Sequence, residues 1–305
     1  MKNLYLIILG LAISQIALAQ KPKYGIKAAL NVSTILGNVE RDGSGNALEK
    51  YIPQTGFSVG ATAMFPITDI FGAEGELLYA IKSTRYEYNG PGYYNFVGAN
   101  NSVKHVEGNL RFISNRSNNY IDVPLMLYYK PAKHFKVNLG VHAAVNVGST
   151  GAGEFKLSEI DYIDGTGDKT RVKENIIIAL TEDFSKAYDK QLDLSSPNSL
   201  TVPSVSFRGD TYVYPSIVGA YYFYPDKRGT FFNMFDAGIV GGASYVFGSG
   251  LNIGLRANYG LLDLTTDYYQ NYRSINTGKA DGYKPVNRGG FNRDLTFQVH
   301  IGFSF

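Results

Sequence analysis

Residues 135–147 read Phe-Lys-Val-Asn-Leu-Gly-Val-His-Ala-Ala-Val-Asn-Val, and every second residue is apolar. Phe135, Val137, Leu139, Val141, Ala143, Val145 and Val147 share one face. Lys136, Asn138, Gly140, His142, Ala144 and Asn146 share the other. A period of two marks a β-strand, because successive side chains leave opposite faces of the pleat. A dozen residues is also about the length a tilted strand needs to cross a bilayer.

Seven further segments repeat the pattern, at about residues 24–32, 56–65, 72–83, 120–130, 235–247, 251–261 and 295–305. Tight turns at 66–70, 131–134 and 248–250 alternate with long polar links at 37–55, 84–119, 148–234 and 262–294. Outer-membrane barrels connect their strands in this way. The pattern predicts an all-β fold: an antiparallel up-and-down transmembrane β-barrel of about eight strands. Short turns face the periplasm and long loops the exterior, and an even count puts both ends of the barrel on the periplasmic side.

The N-terminus reads as a signal peptide over 1–19. Lys2 supplies the positive region, Leu4–Ile16 the apolar stretch and Ala17-Leu18-Ala19 the cleavage site. The barrel domain is expected over 20–305, with a long loop insertion at about 148–234. No later segment is apolar for long enough to form a transmembrane helix; the longest run is Ile176–Leu180. Any membrane crossing therefore requires a closed barrel. Cysteine is absent, which excludes disulfides and thiolate metal sites. A net charge of +3 gives no basis for nucleic-acid binding.

Alternation alone does not say which face is wet, since a soluble lipocalin-like barrel has the same period with its apolar face inward. Strand length and aromatic placement favour lipid outside. Tyr24, Phe57, Phe65, Tyr79, Tyr129, Phe135, Tyr245, Phe247, Tyr259 and Phe303 lie near strand ends on the apolar face, where an aromatic girdle belongs.

Several segments carry a family likeness. The last strand, with Phe297, Val299, Ile301, Phe303 and Phe305 at alternate positions, resembles the C-terminal strand that barrel-assembly machinery recognises in Gram-negative outer-membrane proteins. The segments 25–31 (Gly-Ile-Lys-Ala-Ala-Leu-Asn), 76–80 (Glu-Leu-Leu-Tyr-Ala), 120–125 (Tyr-Ile-Asp-Val-Pro-Leu), 235–238 (Phe-Asp-Ala-Gly) and 257–261 (Ala-Asn-Tyr-Gly-Leu) resemble the PorT-like outer-membrane β-barrel family of Bacteroidetes. The resemblance implies an integral outer-membrane barrel. One branch of that family serves type IX secretion and gliding. The third long link departs from the family pattern by its length.

The polar face holds the first candidate site. Lys27, Glu74, Glu76, Asp122, Lys136, His142, Asp236, Arg256, Asp294 and His300 would all point inward. An eight-stranded barrel is just wide enough for side chains to fill it. Buried charge must be paired. So Glu74, Glu76, Asp122 and Asp236 are expected to meet Lys27, Lys136 and Arg256 in a structural network that plugs the lumen. Of the four histidines, His105 falls in a loop and His134 in a turn. No Ser–His–acid set follows from spacing, with Asp294 too far from His300 along one strand and Ser304 near the opposite end. Asp161, Asp164 and Asp168 lack the companions of a calcium loop. No metal or cofactor is expected.

Tyrosines in the long links form the second candidate site. Tyr93, Tyr94, Tyr212, Tyr214, Tyr221, Tyr222, Tyr268 and Tyr269 offer rigid amphipathic contact area for a partner. The competing reading is that these links extend the strands and pack on one another. Within the third link, Ile177, Leu180, Phe184, Ala187 and Tyr188 have helical spacing, predicting a short amphipathic helix over 174–192. The rival is an extra strand pair at 172–180 and 211–224, which would make ten strands.

The function expected is that of a non-catalytic outer-membrane protein with a plugged lumen. It presents loops to a partner or serves a cell-envelope or secretion machine. The alternatives are a rim-located enzyme modifying lipid A or acyl chains, and a narrow channel. The expected contacts are outer-membrane lipid and lipopolysaccharide, barrel-assembly machinery and envelope proteins, without nucleic acid.

Overall fold

The computed structural model describes residues 21–97, 103–163, 169–184, 204–207, 210–213, 217–219, 230–267, 269–276 and 285–305. The segment read as a signal peptide lies outside them. Long strands come first: β1 (Lys23–Leu36), β2 (Glu49–Pro66), β3 (Phe71–Val97), β4 (Val103–Ala132) and β5 (Phe135–Ile163). Short ones follow: β6 (Lys169–Val172), β7 (Ile176–Asp183), β8 (Ser204–Phe207), β9 (Asp210–Val213) and β10 (Ile217–Gly219). The remainder are β11 (Phe235–Val246), β12 (Leu251–Gly260), β13 (Asn271–Asn276), β14 (Pro285–Asn287) and β15 (Arg293–Ser304). Among the described residues there is no helix.

Eight of these strands close a ring. The order is β1-β2-β3-β4-β5-β11-β12-β15, every neighbour antiparallel, and β15 returns to β1 from Gly25↔Ser304 to Leu36↔Arg293. Closure leaves no unpaired edge in lipid. The rival count of ten fails at membrane level, because β7 meets β5 only along the upper part of β5, Thr150 to Leu157, and its other partner is the three-residue β10, in parallel. At the β11–β12 turn, Gly250 has φ of +90°, a left-handed conformation that glycine adopts without strain.

The ring is apolar outside and polar inside. Leu30 and Leu139 are each 69% exposed, whereas Glu76 is 4% and Asp122 1% exposed. Exposed aromatics stand at both heights. Tyr24, Phe65, Phe71, Tyr129, Phe135, Tyr245 and Phe303 circle the periplasmic end, and Phe57, Tyr79, Phe235 and Phe297 the other. These are the two interfacial girdles of a bilayer.

β3, β4 and β5 run far past the upper girdle, as 27-, 30- and 29-residue strands. Much of what reads as loop over 84–119, and the start of the 148–234 insertion, is therefore sheet. The pattern inverts at that height. Above it the outer face carries Arg85, Glu87, Arg111, Glu154 and Lys156, while the inner face buries Tyr86, Tyr88, Leu110, Phe112, Phe155 and Leu157. Two irregularities accompany the change. Asn119 faces Gly148 but Tyr120 faces Asn146, so Val147 is an extra residue in β5. β2 likewise carries an extra residue between Pro53 and Ser58. One extra residue flips every later side chain to the opposite face. On β5 this moves the inward set from Lys136, Asn138, His142 and Ala144 to Ser149, Gly151, Phe155 and Leu157.

β7 completes this upper core. It buries Ile176, Ile178 and Leu180 and exposes Ile177. The helix expected over 174–192 is thus corrected to a strand over its first part. Strand period and helical period both accommodate Leu180 and Phe184, and pairing with β5 decides between them. Residues 185–192 lie outside the described chain.

Candidate functional site: the lumen and its extracellular cap

Each inward charge sits on a strand whose outer face lipid fixes, so its direction follows from parity. On β3 this lines up Glu74, Glu76 and Lys82; on β1 it places Lys27, and on β12 Arg256. All seven residues expected in the lumen network are inward and buried: Lys27, Glu74, Glu76, Asp122, Lys136, Asp236 and Arg256.

Their pairing is specific. Lys27 Nζ donates to Glu76 Oε1 at 2.9 Å, and both Arg256 Nη atoms donate to the same carboxylate at 2.7 Å. Lys136 Nζ donates to Glu74 at 2.8 Å. Asp122 and Asp236 do not join those cations. Asp122 Oδ1 lies 3.1 Å from His142 Nδ1. Asp236 and Asp294 share Lys82 Nζ, at 3.4 Å and 2.7 Å. Lys82 went unrecognised in the sequence, although its parity with Glu74 and Glu76 marks it as inward. A neutral ladder continues the wall: Asn31 Nδ2 donates to Ser58 Oγ at 2.8 Å, and Gln298 Nε2 to Asn31 Oδ1 at 3.0 Å.

Above the charges, an aromatic cap covers the mouth. Ile35, Tyr120, Ala144, Phe184, Phe232 and Leu264 pack together, with Tyr51, Phe231 and Tyr269 against them. Arg116 stands among these rings, its guanidinium carbon 4.4 Å from the Tyr86 centroid, 5.1 Å from Phe184 and 5.2 Å from Tyr269. It donates to Tyr269 Oη at 2.6 Å and lies 3.4 Å from Glu182. Burial opposes the Arg116 charge, but Tyr269 and Glu182 more than offset that cost and raise its pKa above the ordinary arginine value. Desolvation pushes the Tyr51 and Tyr86 hydroxyls well above the usual tyrosine range. Arg273 donates to Tyr86 Oη at 2.7 Å, and Tyr86 to Glu49 at 2.6 Å. Arg288 also pairs with Glu49. These contacts tie the last extracellular segment down onto β2 and β3. Arg116 keeps the inward parity of Asp122 along β4, but it lies, like Glu182 and Arg273, in a stretch that reads as a link, so sequence reasoning missed all three.

The tyrosine surface expected from the sequence is partly internal. Tyr94 is buried, its ring 4.5 Å from that of Phe155. Tyr93 is half-buried, 5.5 Å from the His105 ring. Tyr269 belongs to the cap, and Tyr212 lies on β9. Tyr214, Tyr221, Tyr222 and Tyr268 lie outside the described residues. On β15, Phe297, Val299, Ile301 and Phe303 face lipid, and Phe305 N donates to Tyr24 O at 2.8 Å. Among the described residues no cluster of His and carboxylates could hold a metal. Asp161 accepts from Arg171 at 2.9 Å, and Asp164 and Asp168 lie outside the described residues. His142 has an acid on Nδ1 and no hydrogen-bond partner on Nε2, so no hydroxyl nucleophile is engaged there.

A closed antiparallel ring, apolar outside and ionised within, defines a transmembrane β-barrel. The chain belongs to the outer membrane protein beta-barrel domain family, whose match covers residues 18–266. The protein is accordingly placed in the bacterial outer membrane. The chain is distantly similar to several solved structures. Ail, the attachment invasion locus protein of Yersinia pestis, is 10% identical, with 94% of this chain and 100% of that chain covered and a TM-score of 0.33. OprG from Pseudomonas aeruginosa is 9% identical over 93% and 96%, with a TM-score of 0.33. Neisserial surface protein A is 11% identical over 94% and 100%, with a TM-score of 0.29. No curated protein matches the chain.

Proposed function

We propose that the protein is a non-catalytic outer-membrane barrel with a plugged lumen that presents a rigid extracellular platform to a protein partner of the cell envelope. The observation that carries this reading is the second core above the membrane. A bilayer asks for about 9–11 residues per strand, yet β3, β4 and β5 have 27, 30 and 29. The surplus builds a sheet with its own buried interior, which the barrel does not need for closure. The paired lumen charges and the aromatic cap support the plug. The PorT-like resemblance makes a secretion or gliding assembly the first place to look for the partner. Lipopolysaccharide and barrel-assembly machinery are its expected surroundings.

Two measurements test the reading. Crosslinked outer membranes should yield a specific partner with the full chain, and lose it when residues 92–108 are replaced by a tight turn. Equal capture by both forms would refute the platform. In planar bilayers the pure protein should give no large, stable conductance. Steady nanosiemens-scale openings would refute the plug.

A further inference from the structure

The two sides of the lumen differ in how completely their polar atoms are satisfied. On β1, β2 and β3, the inward polar residues Lys27, Asn31, Ser58, Glu74, Glu76 and Lys82 leave no buried side-chain atom without a partner. On β5, β11, β12 and β15, satisfied residues such as Lys136, Asp294 and Thr296 stand beside unsatisfied ones. Asn138 Oδ1, His142 Nε2, Asp236 Oδ1, Ser244 Oγ, both side-chain polar atoms of Asn258 and His300 Nδ1 are all buried and unpartnered. The six residues are between 1% and 7% exposed. A buried polar atom without a partner costs about 1–3 kcal/mol, so a row of them requires something that donates and accepts.

Geometry says why protein does not fill that role. Glycines punctuate this wall, and polar heads lie flat over them. His142 Nε2 is 2.7 Å from where a Cβ on Gly238 would stand, Asn138 Oδ1 3.1 Å from that of Gly242, and Asp236 Oδ1 3.3 Å from that of Gly260. The unpartnered atoms stay on their own wall, whereas Arg256, Lys136 and Asp236 Oδ2 reach across the lumen to Glu76, Glu74 and Lys82. At the extracellular end the aromatic cap closes over them. At the periplasmic end the wall finishes in Ser244, Gly254, Gly302 and the half-buried Asn252, all small or polar.

We propose that a file of internal water runs along β5, β11, β12 and β15, opening toward the periplasm and ending beneath the cap, beside a dry side at β1–β3 whose charges are paired by residues reaching across from the other strands. The ligand is water. Water satisfies such atoms at two to four hydrogen bonds each. The file would connect the Asp122–His142 pair to periplasmic solvent without making a through-channel, so it is independent of whether the platform finds a partner.

The chain has no cysteine, which permits a clean test on the full protein reconstituted in vesicles. Ser244→Cys and Asn258→Cys place thiols in the file, and Ala80→Cys places one on the dry side. Aqueous silver ion should modify the first two about ten-fold or more faster than the third, because thiol reactivity follows solvent access. A bulky charged maleimide should modify none. Silver reaction of Asn258→Cys no faster than that of Ala80→Cys would overturn the file. Ready maleimide labelling of Asn258→Cys would overturn it too, in favour of an open pore. The unsubstituted protein supplies a check that needs no variant. Magnetisation transfer from water to the His142 and His300 rings should be observed by NMR, and its absence at both would also refute the proposal.

Discussion

Glu76 neutralises two cations at once, Lys27 and Arg256, at hydrogen-bond distance and away from solvent. Removing its charge strands both. Glu76→Gln should therefore destabilise the barrel by about 3–5 kcal/mol, the usual cost of breaking a buried pair, read as a lower urea midpoint by circular dichroism. Adding Arg256→Met should recover part of that loss, since one orphaned charge is then gone. An additive double mutant would show that the bidentate contact is not coupled. In the cap, the raised Tyr51 and Tyr86 pKa values fix the sign of a pH effect. The unfolded chain loses these protons near 10.0 and the folded chain only above it. Their contribution to stability is whole below pH 10 and falls as pH rises beyond it. Ultraviolet titration should show a tyrosine fraction that ionises only as the protein unfolds. Ionisation of every tyrosine in the folded form would contradict the buried cap.

The alternation that exposes Leu139, Val141 and Val145 to lipid is legible in the sequence because one solvent, the bilayer, demands it without a break. All eight ring strands, and eight inward charges, follow from that demand. The upper halves of β3, β4 and β5 do not: on β3 and β4 the inward positions turn from polar to apolar with no break in register, and on β5 the extra residue shifts which positions face inward, so the period alone no longer says what is inside. β7 shows the limit most sharply. Helical spacing selects Ile177, whereas the strand buries Ile176 and Ile178 on either side of it. The upper core also gives a prediction of its own. Ile178 contributes about 1.5–3 kcal/mol by burial, and Ile178→Asp adds an unpaired carboxylate. The protruding sheet should become protease-sensitive, while the barrel keeps its heat-modifiable migration. Loss of that migration would mean the two halves fold as one unit.

In the molecule as a whole, two solvents meet one chain, and the aromatic girdles mark where each begins. Assembly depends on the last strand closing against the first. Deleting Phe305 removes the donor to Tyr24 O and the terminal residue of the alternating aromatic pattern. It should lower the yield of heat-modifiable protein in the outer membrane, measured by semi-native electrophoresis of cell envelopes. Unchanged yield would deny the terminal residue any part in assembly.

The extra residues at Val147 and between Pro53 and Ser58 act as phase shifters. Because they absorb the change of parity, the lower half is indifferent to the lettering above. An exterior module from a relative could be spliced on at this seam and inherit a working anchor, provided its strands arrive in the shifted phase. A graft that omits the two insertions would turn the second and fifth strands over, their charges inward and their grease to the water, while β3 and β4 kept their phase.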